Sequence, residues 1–275
     1  QEVKSLLESG DQKHFVNQYP FDISAPRDFD PFFYHYFTWD QTPQVLSTLG
    51  QTWQPFGGSG YFILLALLGL VFILSVVLIL LPLGLDPALV QGLGNGLTWK
   101  VMAYFALIGM GFMLVEIPLI HRWILYVGHP IYAFAIVVGS LLFFSGWGSL
   151  AANRLRWGSG SWLGIILAAL FPLVLLSLYP RHILAWAGWV RVIALIACLA
   201  PVGFLMGIPF PSGLSRVKKN TPRLTPWAWA VNGFTSVIAS VLASILALSF
   251  GYVVVFAAGF GAYLAAAAVY GAFPD

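Results

Sequence analysis

Between Tyr61 and Leu83 the chain carries no charged residue, and it is built mainly of Leu, Ile, Val and Phe. An apolar run of about twenty residues has the length at which an α-helix crosses roughly 30 Å of hydrocarbon. A transmembrane barrel strand would instead alternate polar and apolar positions over about ten residues, which this run does not do. Similar blocks recur down the chain, and its 275 residues are 59% hydrophobic and only 8% charged. A water-soluble domain, normally about a quarter charged, could not cover its surface with that composition. The expected fold is therefore all-α: a polytopic transmembrane helical bundle of about seven spans with a short polar N-terminal segment.

The spans follow from where charge, proline and glycine interrupt the apolar blocks. Residues 1–58 form a polar lead-in holding six of the ten acidic residues by Asp30, then an aromatic cluster from Phe32 to Trp39 suited to the headgroup level. Residues 59–275 form the membrane domain. After the first block, spans are expected at about Val101–Ile120, from Pro130 to about Ala152, and at about Trp162–Tyr179. Three more follow at about Val192–Ile208, Trp227–Phe250 and Tyr252–Phe273, the last two a tight antiparallel hairpin around Gly251. The segment from Arg181 to Trp189 is too short to span and reads as lying on the surface. No secretory signal pattern occupies the first thirty residues, so the chain reads as processed or as part of a longer protein.

The formal charge is only +3, and Lys and Arg gather at block ends, a pattern that suits lipid headgroups and not nucleic acid. The single cysteine, Cys198, lies in an apolar block, so neither a disulfide nor a thiolate metal cluster is implied. No metal motif and no cofactor is indicated.

Glu116 is the most informative ionisable residue, because a carboxylate near a helix centre costs about 3 kcal/mol on insertion scales. Two readings stand: a structural acid hydrogen-bonded to a neighbouring helix, and a functional intramembrane site. Asn232 in the sixth span is the expected polar partner. His121, Arg122 and His129 are candidate contacts to headgroups or other anions at the end of the second span. Gly233, Ser236, Ser240 and Ser244 recur at helical spacing, with Ala239 and Ala243 beside them, and are expected to form a helix-packing face, since small side chains allow backbones to approach. Gly207, Pro209 and Pro211 mark a helix break, and irregular backbone at membrane depth must be buried in protein or face water.

Several ordered motifs resemble a known family. Phe112-Met113-Leu114-Val115-Glu116-Ile117-Pro118-Leu119-Ile120-His121-Arg122 and Gly128-His129-Pro130-Ile131-Tyr132-Ala133 are similar to the membrane region of bacterial multi-pass spermidine synthase-like proteins. Gly207-Ile208-Pro209-Phe210-Pro211-Ser212-Gly213-Leu214 and Pro226-Trp227-Ala228-Trp229-Ala230-Val231-Asn232-Gly233 follow in the same order. The lead-in, Tyr19-Pro20-Phe21-Asp22-Ile23 through Asp28-Phe29-Asp30-Pro31, resembles the end of that family's soluble domain, although the family commonly has Asp-Asp-Arg-Pro at the last motif.

The resemblance implies a membrane-embedded domain that anchors a transferase-like catalytic domain and offers a polyamine or hydrophobic-substrate site. The catalytic domain itself is not in these residues, which contain no glycine-rich nucleotide loop. The alternatives are a non-catalytic accessory subunit of a larger membrane complex and a small-solute transporter. The expected partners are the lipid bilayer and other membrane subunits, and the expected location is a bacterial inner membrane. Arg154, Arg156, Arg216, Lys218, Lys219 and Arg223 outnumber Arg122, Arg181 and Arg191 in the opposite loops, which places the first set in the cytoplasm.

Overall fold

A computed structural model describes residues 59–90, 96–152 and 184–271, together with 42, 43 and 47. Nearly all of the polar lead-in, the fourth expected span, Arg154, Arg156 and Arg181 lie outside the described residues. Those described are helical, with no strand among them. Five helices are long and apolar enough to cross a membrane.

The first apolar block forms α1 (Ser59–Ser75), a π-helical turn over Val76–Leu80 and a short α2 (Leu81–Gly84). The wide turn has a local cause. Pro82 has no N–H, and its ring crowds the carbonyl four residues back. The widened backbone just before it makes room, with the Leu81 N–H reaching the Val76 carbonyl. After α3 (Pro87–Val90) comes α4 (Gly96–Val127), longer at both ends than the apolar block suggested. His121 and Arg122 do not stop it, and Pro118 is absorbed inside it at the loss of one helical bond.

Gly128, with φ of 81°, turns the chain directly into α5 (Pro130–Ala152). Its left-handed backbone is one that glycine adopts without a Cβ penalty, and its N–H closes on the Ile124 carbonyl at 2.8 Å. The next described helix is α6 (Gly188–Met206), followed by α7 (Pro209–Asn220) and a single 3-10 turn at Pro222–Leu224. Gly188 and Trp189, the last residues of the segment expected to lie on the surface, thus begin the first turn of α6.

The last element, α8 (Thr225–Gly271), is broken at Gly251, whose φ of 74° and ψ of 169° are non-helical. Its two arms form the expected hairpin. Asn232 in the first arm bonds to Phe105 of α4, and Tyr270 in the second packs on the neighbouring Tyr104. A continuous helix would hold Asn232 and Tyr270 roughly 57 Å apart. The first arm runs parallel to α4 and the second antiparallel, bringing Tyr252 against His121 and Gly259 against Leu114 and Val115.

The core lies between α4, the hairpin, α5 and α6, around Tyr104, Phe105, Leu119, Trp123, Val137, Leu141, Leu199 and Val255. α1 packs outside it, on the first arm, through Tyr61 to Ser249 at 2.8 Å and Phe72 to Phe234. Along its other faces Ile63, Leu70 and Ile73 are exposed, as is Leu78 in the π-helical turn that follows, as acyl-chain contacts would require.

Candidate functional site

Glu116 sits in the second half of α4 and is 8% exposed. Among the described residues no hydrogen bond or salt bridge reaches it. It lies two turns beyond Gly109 on the same helix face. The parallel register of the first arm brings the fully buried Ala243 to its level. Of the acidic residues described, only Asp86 accompanies it.

The expected pairing with Asn232 is not made. Asn232 Nδ2 donates to the Phe105 carbonyl at 3.0 Å, eleven residues and about 16 Å before Glu116 along α4. Asn232 acts instead as an interhelical fastener. Thr235 Oγ1 lies beside it, 3.1 Å from the Ala106 carbonyl and 2.9 Å from the Val231 carbonyl of its own helix. Gly109 makes this seam possible, because a Cβ there would lie 2.6 Å from the Asn232 carbonyl oxygen.

The small-residue face of the first arm is also placed differently. Gly233 has open space before it, and Ser236, Ser240 and Ser244 are only partly buried, each closing its hydroxyl on a carbonyl of its own helix. Ala239, Ala243 and Ala247 form the buried stripe, at most 2% exposed. A serine can satisfy its hydroxyl locally and sit at a margin, whereas alanine has nothing polar to satisfy and permits the closest approach.

The break at Gly207, Pro209 and Pro211 is mild in backbone terms but tightly fitted. Gly207 closes α6 with helical φ/ψ, and Ile208 leads directly into α7. The Pro209 carbonyl accepts a 2.6 Å hydrogen bond from Tyr104 Oη, while the Ser212 hydroxyl donates to the Ile208 carbonyl at 2.8 Å. Tyr104 is fully buried, its ring lying against Gly213 so closely that a Cβ would overlap it. Beyond it Tyr270 stacks obliquely, and Arg216 covers the Tyr270 ring at 4.3 Å. Phe210 bridges Phe105 and Trp229 at the same end.

Gly207 has a second role, unread in the sequence. With Gly203 one turn earlier it forms a small-xxx-small pair facing Leu141 and Ser145 of α5, and Gly148 of α5 receives Phe204 in return. A Cβ on Gly207 or Gly148 would collide with backbone. The Gly203-to-Gly207 spacing was the available signal. Tyr104 had none, since it is one aromatic among many.

At the opposite end His121 and His129 are exposed, His121 Nδ1 donating to Ile117 and His129 lying against Tyr132. Arg122 departs from the expected interfacial trio, being only 3% exposed and turned into the bundle. No group of three or more potential metal-ligating side chains occurs among the described residues. No protein-family model, curated protein or solved structure matches this chain.

Proposed function

We propose that the chain is the seven-span membrane domain of a spermidine synthase-like protein of a bacterial inner membrane. In this reading it anchors a transferase-like catalytic domain and holds a cationic amine group at Glu116. The observation that carries the ligand class is the burial of Glu116 without a hydrogen-bonded partner among the described residues. A carboxylate in such a position is either carried neutral or matched by a cation. An ammonium group matches it in charge and hydrogen-bonding, and the methylene stem of a polyamine suits the apolar surroundings.

The course of the helices supports the span count. α5 and α6 run in the same direction, with Leu141 beside Gly203 and Ser145 beside Gly207. Consecutive passes through a bilayer alternate in direction, so a span at about Trp162–Tyr179 between them satisfies the topology, and the two arms of α8 count separately. Orientation follows from charge: Lys100, Arg216, Lys218, Lys219 and Arg223 share one end, which faces the cytoplasm by the positive-inside rule.

The test is equilibrium binding of radiolabelled spermidine to the purified protein in detergent. Saturable binding that Glu116→Gln weakens about tenfold or more supports the reading. Saturable binding unchanged in Glu116→Gln, or no saturable binding, contradicts it.

A further inference from the structure

Unlike the spanning helices, which are apolar all round, α7 is apolar on one side and basic on the other. Pro209, Gly213, Leu214 and Val217 are buried along one face. Gly213 lies so close to the Tyr104 ring that a Cβ would overlap it, which holds that face on the bundle. Ser215, Lys218 and Lys219, at the spacing of one turn, are exposed on the outer side. The cations continue beyond the helix, with Arg223 in the following 3-10 turn and Lys100 near the start of α4 exposed at the same end. Arg216 is directed elsewhere, its guanidinium over the Tyr270 ring.

Two tryptophans set the depth of this end. Trp229 is 58% exposed and meets Phe210 of α7 edge-on at 4.5 Å, and Trp99, 73% exposed, directly precedes Lys100. Exposed indoles on a membrane bundle favour the headgroup level. Lys100, Lys218, Lys219 and Arg223 therefore reach the phosphates, their methylene stems lying along apolar surface. Among the described acids only Asp86 shares this end, at the start of α3, which packs beside the Pro222–Leu224 turn. Four exposed cations against one carboxylate leave this face net positive. At the opposite end the exposed basic side chains described are His121 and His129.

We propose that the outer face of α7, with Arg223 and Lys100, is a docking surface for anionic phospholipid headgroups that selects a net negative lipid over a zwitterionic one. Charge complementarity at headgroup depth decides the occupant, since each Lys or Arg near an anionic leaflet strengthens the attraction severalfold. The apolar side of α7 is already spent on the bundle, so this helix gains nothing by inserting among acyl chains, as a free amphipathic helix does. Recognition runs through charge alone. Because Gly213 and Val217 seat the helix on the bundle, the cations meet the leaflet as a fixed row.

The test is native mass spectrometry of the delipidated full chain, titrated separately with dioleoylphosphatidylglycerol and dioleoylphosphatidylcholine, which share their acyl chains and differ in net charge. The first phosphatidylglycerol should bind about fivefold or more tighter than the first phosphatidylcholine. Raising ammonium acetate from about 0.05 M to about 0.5 M should shrink that preference, because exposed charges are screened. The triple variant Lys218→Gln, Lys219→Gln, Arg223→Gln should lose most of it, whereas Lys218→Arg with Lys219→Arg keeps it. His129→Gln, at the other end, should leave it unchanged. Should the triple variant fail to fold, the salt dependence of the parent decides. A preference that salt leaves unmoved, or that the folded triple variant retains in full, overturns the proposal. Equal binding of the two lipids by the parent also overturns it, and leaves the basic face to an acidic protein partner.

Discussion

Tyr104 Oη donates a 2.6 Å hydrogen bond to the carbonyl of Pro209, tying the middle of the bundle to the point where α6 gives way to α7. Pro209 opens α7, so this bond fastens the start of that helix to the fully buried Tyr104 of α4. Removing only the hydroxyl, in Tyr104→Phe, should lower stability by about 1–2 kcal/mol while preserving the fold. Thermal unfolding in detergent measures this. A melting temperature equal to that of the parent would mean that the Tyr104 hydroxyl contributes nothing at this junction.

The glycine seams make a sharper contrast. Gly109→Ala and Gly207→Ala each drive a methyl into backbone of a neighbouring helix, so the pairs must separate, at a cost of about 1–3 kcal/mol. Gly233→Ala and Gly139→Ala place the same methyl in open space, where alanine's higher helix propensity makes them neutral or slightly stabilising. Parallel melting curves of the four variants check this. A loss at Gly233 as large as at Gly109 would contradict the packing described.

Sidedness is checked with single cysteines in a Cys198→Ser background. His129 and Lys219 are exposed at opposite ends of the bundle. A membrane-impermeant maleimide added to intact cells should label His129→Cys and spare Lys219→Cys, in line with the charge bias. The reverse pattern would turn the bundle over.

Much of the architecture was legible because hydrophobic length and punctuation are coarse signals that lipid enforces. The run from Tyr61, the turn at Gly128-His129-Pro130 and the reversal at Gly251 all emerge where the residues suggested. What escaped was lateral: which face of each helix meets which neighbour. A transmembrane helix is apolar all round, so no stripe of polarity separates its lipid face from its packed face. Hence a band of small residues on the first arm is legible, with Ala239 and Ala243 beside the serines, but not that the packed face is the alanine side, Ala239, Ala243 and Ala247, with the serines at its margin. Asn232 could be read as an interhelical donor, but its acceptor depended on a register that sequence does not contain. Arg122 was misread for a related reason, since a charge at a span's end points to water by default and here turns inward.

The central claim is that Glu116 is a protein-enclosed acid that accepts a cationic ligand, and its chemical reactivity tests this most directly. Dicyclohexylcarbodiimide, an apolar reagent that enters membranes, modifies enclosed carboxyl groups, while a charged water-soluble carbodiimide reaches only exposed ones. Peptide mapping by mass spectrometry after each treatment, with and without spermidine, reads the site. The account predicts that Glu116 is modified by the apolar reagent and not by the charged one, and that spermidine protects it. Modification of Glu116 by the charged reagent, or labelling by the apolar reagent that spermidine leaves undiminished, would contradict it.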